Sequence, residues 1–76
     1  MKSVFKFLLD EILKLNEYMD TLPGITQRQQ RFFKESYNSI LATSSEAKQL
    51  SPTQRKIIAE EVAAASARLR LKCENN

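Results

Sequence analysis

Apolar residues recur at alternating steps of three and four along residues 4–22, and this spacing constrains the fold more than any other feature of the sequence. Steps of this kind place side chains on one side of an α-helix and fit no strand. The residues in this register are Phe5, Leu8, Ile12, Leu15, Met19 and Leu22. Val4, Leu9 and Leu13 widen the stripe to about half of the helix surface. A helix this apolar must be covered by other helices of the chain or by another apolar surface.

Start and stop signals bound this helix and the one that follows. Ser3 is suited to cap the first helix, and Pro23 with Gly24 ends it near residue 22, because proline cannot continue the helical hydrogen bonds. Thr26 then begins a capping box, which predicts a second helix over about residues 27–42. The apolar stripe of this second helix consists of Phe33, Tyr37, Ile40 and Leu41.

Two further start signals lie in the second half of the chain. Residues 43–46 (TSSE) match another capping box, which predicts a short helical turn over about residues 46–50. Ser51, with proline at the first helical position and Gln54 at the third, predicts a last helix from Pro52 to about Lys72. Its apolar residues form two neighbouring lines, Ile58, Val62, Ala65, Leu69 and Cys73 in one and Ile57, Ala64 and Leu71 in the other.

These elements predict an all-α fold, a single domain over residues 1–76 in the form of an up-and-down bundle of three main helices and one or two short ones. Seventy-six residues are close to the lower size limit for one hydrophobic core. Cys73 is the only cysteine, so the chain cannot form an intramolecular disulfide. Its position leaves two interpretations open, a buried packing thiol or an accessible thiol that cross-links two chains.

The residue inventory also limits the chemistry. A chain with no histidine and one cysteine lacks the usual ligands of a zinc site and cannot use a histidine as a catalytic base. Adjacent acidic residues such as Glu60 and Glu61 point about 100° apart on a helix and do not form a catalytic dyad. We therefore expect no enzymatic activity, no metal and no cofactor.

One segment is similar to part of a DNA-binding motif. Residues 50–62 (LSPTQRKIIAEEV) are similar to the first helix of some helix-turn-helix domains. In those domains a turn and a recognition helix follow, whereas Ala63, Ala64 and Ala65 continue the same helix here. The net charge of +3 is also low for a nucleic-acid-binding domain. We expect no nucleic-acid partner.

The first helix suits two roles. Its apolar side fits the centre of the bundle, which we favour as the main role, or a membrane interface or the groove of a partner protein. Phe7 and Tyr18 lie beyond the edge of the stripe, on a flank that is normally polar, and are the first candidates for a contact surface. The candidate apolar contacts are Phe5, Phe7, Leu8, Ile12, Leu15 and Tyr18.

Basic residues of the second helix complete the candidate site. Arg28, Arg31 and Lys34 follow one another at steps of three. Such a row suits the phosphates of lipid head groups, and the common alternative is a solvated helix face. Two further basic residues, Arg68 and Lys72, share a face near the end of the last helix, where positive charge complements the helix dipole.

The first residues of the chain have some features of a targeting segment. Lys2 and the apolar residues after it resemble the start of a signal peptide, but Asp10 and Glu11 interrupt the apolar run and no cleavage site of small residues follows. No stretch reaches the roughly 20 apolar residues that a spanning helix needs. We expect a soluble protein, cytoplasmic or peripheral to a membrane, that reaches the periplasm only by another route.

Three segments together resemble the PAS factor family, small secretion factors of vibrios that are unrelated to PAS sensor domains. The segments are MKSVFKFLLDEILKLNEYMDTLPG, QQRFFKESYNSIL and SPTQRKIIAEEV. The resemblance spans nearly the whole chain. It implies a saposin-like bundle of about five short helices without disulfides, direct binding to phospholipid membranes, and promotion of the release of periplasmic proteins in bacteria. The family offers no catalytic residues.

The resulting hypothesis is non-enzymatic binding to an anionic phospholipid surface. In it the bundle opens or reorients, so that the apolar side of the first helix enters the interface while Arg28, Arg31 and Lys34 meet the head groups. The alternative is a soluble cytoplasmic adaptor or regulator, as a monomer or a homodimer, that uses the same apolar residues to bind another protein.

Overall fold

A computed structural model describes residues 3–74, which form three helices: α1 (Val4–Thr21), α2 (Gln27–Glu46) and α3 (Pro52–Glu74). The described residues contain no strand and no disulfide, which confirms the prediction of a small all-α bundle. Phe7 near the start of α1 lines the same groove as Thr43 near the end of α2, so these two helices are antiparallel. Arg68 near the end of α3 binds Asp20 near the end of α1, so α3 runs parallel to α1.

Side-chain caps begin all three helices as the sequence predicts. The Ser3 hydroxyl accepts a hydrogen bond of 3.1 Å from the amide three residues later. Thr26 and Gln29 form the predicted capping box, in which each accepts a bond from the other's amide, at 3.1 and 2.9 Å. Ser51 and Gln54 make the same reciprocal pair at 3.1 and 3.0 Å. Because each cap satisfies amides that the first turn leaves unpaired, the helices begin at defined residues.

The predicted short helix over residues 46–50 is wrong. α2 continues to Glu46, and the Thr43 hydroxyl donates to the Ser39 carbonyl oxygen at 2.9 Å and does not cap a new helix. Residues 47–51 form a turn that buries Leu50. The described chain therefore has three helices where the resemblance implies about five.

All three helices contribute to one hydrophobic core. Each supplies fully buried side chains, and Ile25 and Leu50 from the two connections close its ends. The largest fully buried side chains are Tyr37, Phe33, Ile12, Met19, Ile58 and Leu69. Tyr37 also makes a polar contact inside the bundle, where its hydroxyl donates to Asn16 Oδ1 at 2.6 Å. The central role predicted for the stripe of α1 agrees with the burial of Leu8, Ile12 and Met19.

Polar side chains near the start and the end of α3 contact the rest of the bundle. At its start, Arg55 Nη2 donates to the Ala47 carbonyl oxygen at 2.8 Å. At its end, Arg68 forms an ion pair with Asp20, and Lys72 Nζ donates to the Leu22 carbonyl oxygen at 2.7 Å. The basic residues near the end of α3 thus contact α1, in addition to any effect on the helix dipole.

Candidate binding surface

Three aromatic rings are exposed together along the seam between α1 and α2. Phe7, Tyr18 and Phe32 keep 51%, 48% and 48% of their surface accessible. Phe7 and Phe32 line one groove, and the rings of Tyr18 and Phe32 meet edge to face with their centroids 6.5 Å apart. We call these three residues the aromatic surface. Exposed apolar patches of a few hundred Å² on a monomeric protein often have a functional role, so this surface is the candidate site.

The groove has an apolar floor and polar walls. Its volume is about 640 Å³, and its floor is made by Leu8, Leu15 and Ile40. The polar residues that line it are Glu11, Glu35, Ser36, Ser39 and Thr43. A shallow apolar channel with hydrogen-bonding groups along its sides suits the apolar face of an amphipathic segment or the acyl region of a lipid.

A chain of ring contacts joins two members of the aromatic surface, Tyr18 and Phe32, to the core. The buried ring of Phe33 lies 5.5 Å from Tyr18 and 5.4 Å from Phe32 between centroids. Phe33 in turn stacks on Tyr37 at 6.4 Å. Offset and edge-to-face ring pairs of this kind add about 0.5–1.5 kcal/mol each to simple burial. The exposed rings of Tyr18 and Phe32 are therefore held in place before any ligand arrives.

The structure separates the apolar contacts that the sequence proposed. Phe7 and Tyr18 lie on the aromatic surface as candidates for direct contact. Leu8 and Ile12 are buried in the core, and Phe5 and Leu15 are half-buried against it. In the closed bundle a ligand can reach only the outer parts of Phe5 and Leu15, and it cannot reach Ile12. Contact through the whole predicted set requires the bundle to open.

The basic row spans about 120° of α2 and turns away from the side that carries Phe32. Arg28, Arg31 and Lys34 are all exposed. Arg28 lies one turn before Phe32 and therefore on the same side of the helix. Arg31 and Lys34 border a different depression, on the far side of Glu35. At a step of 100° per residue, Lys34 points about 160° away from Phe32. A flat ligand that covers the aromatic surface would meet Arg28 but not Lys34.

Acidic groups border the aromatic surface. Glu11 and Glu35 both line the groove. Lys14 approaches Glu11 at 3.9 Å, but the lysine side chain is largely exposed and the glutamate is half-exposed, and ion pairs near solvent are weak. The two carboxylates repel an anionic ligand and attract a basic one.

Sequence reasoning missed Phe32 as a contact residue. Phe32 lies in α2 beside Phe33, but outside the buried stripe that Phe33 starts. The signal was available, because adjacent helical residues point about 100° apart and only one of two neighbouring phenylalanines can face the core.

Two further observations concern the residues that the structure describes. Between Ser3 and Glu74, no helix combines the length and apolar character needed to cross a bilayer. The same residues bring together no group of three acidic or cysteine side chains suited to a metal ion.

Comparison with known proteins found no match to the chain among family models, curated proteins or solved structures. The resemblance to PAS factor therefore stays a prediction.

Proposed function

We propose that this protein binds reversibly to a phospholipid surface through Phe7, Tyr18 and Phe32. The observation behind the proposal is the grouping of three half-exposed rings on one side of the α1–α2 hairpin. Aromatic residues favour the interfacial region of a bilayer, because their apolar bodies leave water there. Following the resemblance to PAS factor, the proposed consequence is the release of periplasmic proteins.

The apolar contribution is large enough for reversible binding. The accessible halves of the three rings amount to about 300 Å², which corresponds to about 7 kcal/mol at ~25 cal/mol per Å². The loss of translational and rotational freedom opposes this gain by several kcal/mol. Arg28, next to Phe32, adds about 1 kcal/mol if the lipid is anionic. This estimate describes docking of the closed bundle, and the burial of Leu8 and Ile12 would follow only in a second, opening step.

The proposal is tested by vesicle co-sedimentation and dye release. We expect the wild-type protein to bind anionic vesicles more tightly than neutral ones, because the net charge of +3 and the nearby Arg28 outweigh the local repulsion from Glu11 and Glu35. Binding should weaken as salt screens the head groups. The double variant Phe7→Ser, Phe32→Ser should bind at least about tenfold more weakly, because it loses ring burial without any change in charge. Leu8 is unsuitable for this test, since its side chain is part of the core.

The matched control is Leu13→Ser, which removes an equally exposed apolar side chain from another side of α1. It should bind vesicles like the wild type. Far-ultraviolet circular dichroism establishes that both variants stay helical. A folded double variant that binds as well as the wild type would contradict the proposed surface.

A second candidate function is favoured by Glu11 and Glu35, the carboxylates that line the groove. As an adaptor in the cytoplasm, the protein would hold the apolar face of a partner helix in the groove, with basic residues of the partner against these carboxylates. The double variant Glu11→Lys, Glu35→Lys separates the two functions. It should bind anionic vesicles more tightly if lipid is the ligand, and it should bind a basic amphipathic peptide more weakly if a helix is the ligand.

A further inference from the structure

α3 has a second apolar line that faces away from the core. Ile57 and Leu71 keep 37% and 60% of their surface accessible, and Ala64 between them is exposed as well. Steps of seven residues, about two turns, place these three side chains in one row along the helix. The core side of the same helix consists of Ile58, Val62, Ala65 and Leu69. Apolar residues thus face both the core and the solvent on α3.

The exposed row is self-complementary when two copies of α3 pack antiparallel. Ile57 and Leu71 each lie seven residues from Ala64. When two copies of α3 cross antiparallel at Ala64, Ile57 of one copy meets Leu71 of the other at both ends of the contact. The small side chain at the crossing point lets the two backbones approach closely. A two-fold arrangement of this kind closes on itself and leaves no apolar row exposed.

The charges along α3 select the antiparallel arrangement. The acidic residues Glu60 and Glu61 precede the crossing point beside the row, and the basic residue Arg68, which also pairs with Asp20 of its own chain, follows it there, all three of them exposed. Antiparallel helices therefore bring acid opposite base, while parallel helices bring like charges together. Lys56, one turn nearer the start of the helix, lies 4.0 Å from Glu60 on its own helix.

We propose that Ile57, Ala64 and Leu71 on the outer face of α3 form a self-association surface, on which two copies of the chain pair antiparallel. The contact extends over about 21 Å of helix, so it is smaller than the roughly 1,600 Å² of a standard protein interface. The dimer is accordingly weak and reversible. This surface is separate from the aromatic surface between α1 and α2, and the inference does not depend on lipid binding.

Disulfide trapping tests the arrangement directly. In a Cys73→Ser background, Ala64→Cys should cross-link to itself under mild oxidation, because the two copies of residue 64 meet on the two-fold axis. Ile57→Cys and Leu71→Cys should not cross-link when alone, and should cross-link when the two variants are mixed. Self-linking of Ile57→Cys or Leu71→Cys alone, or no trapping of Ala64→Cys, would overturn the antiparallel dimer.

Sedimentation equilibrium tests the association without new thiols. Leu71→Glu should raise the dimer dissociation constant about 30-fold or more, because each dimer buries two copies of this side chain. Leu13→Glu is the control, since it puts the same charge at an equally exposed leucine of α1 and should leave the constant unchanged. Circular dichroism establishes that both variants keep the wild-type fold. A monomeric wild type at millimolar concentration, or equal weakening by the control, would refute the proposal.

Discussion

One hydroxyl group joins the centre of α2 to α1. Tyr37 is buried, and its hydroxyl donates to Asn16 Oδ1. Burial raises the pKa of Tyr37 above its ordinary value of 10.0, because the phenolate would lose its hydration. The positive charge of Arg68 lowers this pKa and the negative charge of Asp20 raises it, but burial has the largest effect. The neutral phenol is therefore the form that the folded bundle favours.

We expect Tyr37→Phe to lower the free energy of unfolding by about 1 kcal/mol at pH 7, because it removes the bond to Asn16. Urea denaturation measures this difference, and Tyr18→Phe on the surface should change stability by less than about 0.5 kcal/mol. A raised pKa in the folded state means that this contribution to stability is complete below pH 10 and is lost as the pH rises through the folded pKa. The advantage of the wild type over Tyr37→Phe should therefore shrink above about pH 10. An advantage that stays constant up to pH 11 would contradict the role given to burial.

At the level of elements, local hydrogen bonds decided what the sequence could predict. The caps at Thr26 and Ser51 were predictable, because all their partners lie within three residues. The hydrogen bond of Thr43 was not predictable. A threonine hydroxyl either caps a following helix or bonds back to the carbonyl four residues earlier, and the sequence permits both. Packing decides between them, and continuation of α2 through this point buries Ser44.

A pair of alanine substitutions distinguishes these two hydroxyls. Ser51→Ala should destabilise the protein by about 1 kcal/mol, because the first turn of α3 loses its cap. Thr43→Ala should change stability by less than about 0.5 kcal/mol, because Thr43 lies inside a helix, where alanine is well tolerated. Thermal denaturation followed by circular dichroism gives both values. Equal losses would mean that Thr43 acts as a cap after all.

At the level of the whole molecule, long-range contacts account for what sequence reasoning could not reach. The bonds from Arg68 to Asp20 and from Lys72 to Leu22 join residues about 50 positions apart, and no local pattern predicts them. Periodicity did predict which side of α1 and of α2 faces the core, because burial of apolar surface is what assembles the bundle. For α3 it gave two apolar lines, and only the packing shows that the line with Ile58 is the buried one.

Alanine substitutions at two adjacent isoleucines measure how much the burial of apolar side chains contributes to stability. Ile58→Ala should lower the free energy of unfolding by about 2–5 kcal/mol, a large part of the total for a chain of this size. Ile57→Ala should cost less than about 1 kcal/mol, because that side chain is already partly in water. Urea denaturation at low micromolar concentration, where self-association does not contribute, measures both. Similar losses at the two positions would contradict the orientation of α3.

The placement of the two tyrosines has a spectroscopic consequence. The chain contains no tryptophan, so its intrinsic fluorescence comes from Tyr18 and Tyr37 alone. Tyr18 belongs to the aromatic surface and Tyr37 to the core, and each can be silenced by replacement with phenylalanine. Emission from the variant that keeps only Tyr18 will report occupation of the surface. Emission from the variant that keeps only Tyr37 will report separation of the helices. Titration of the two variants with vesicles therefore distinguishes docking of the closed bundle from its opening, without any added label.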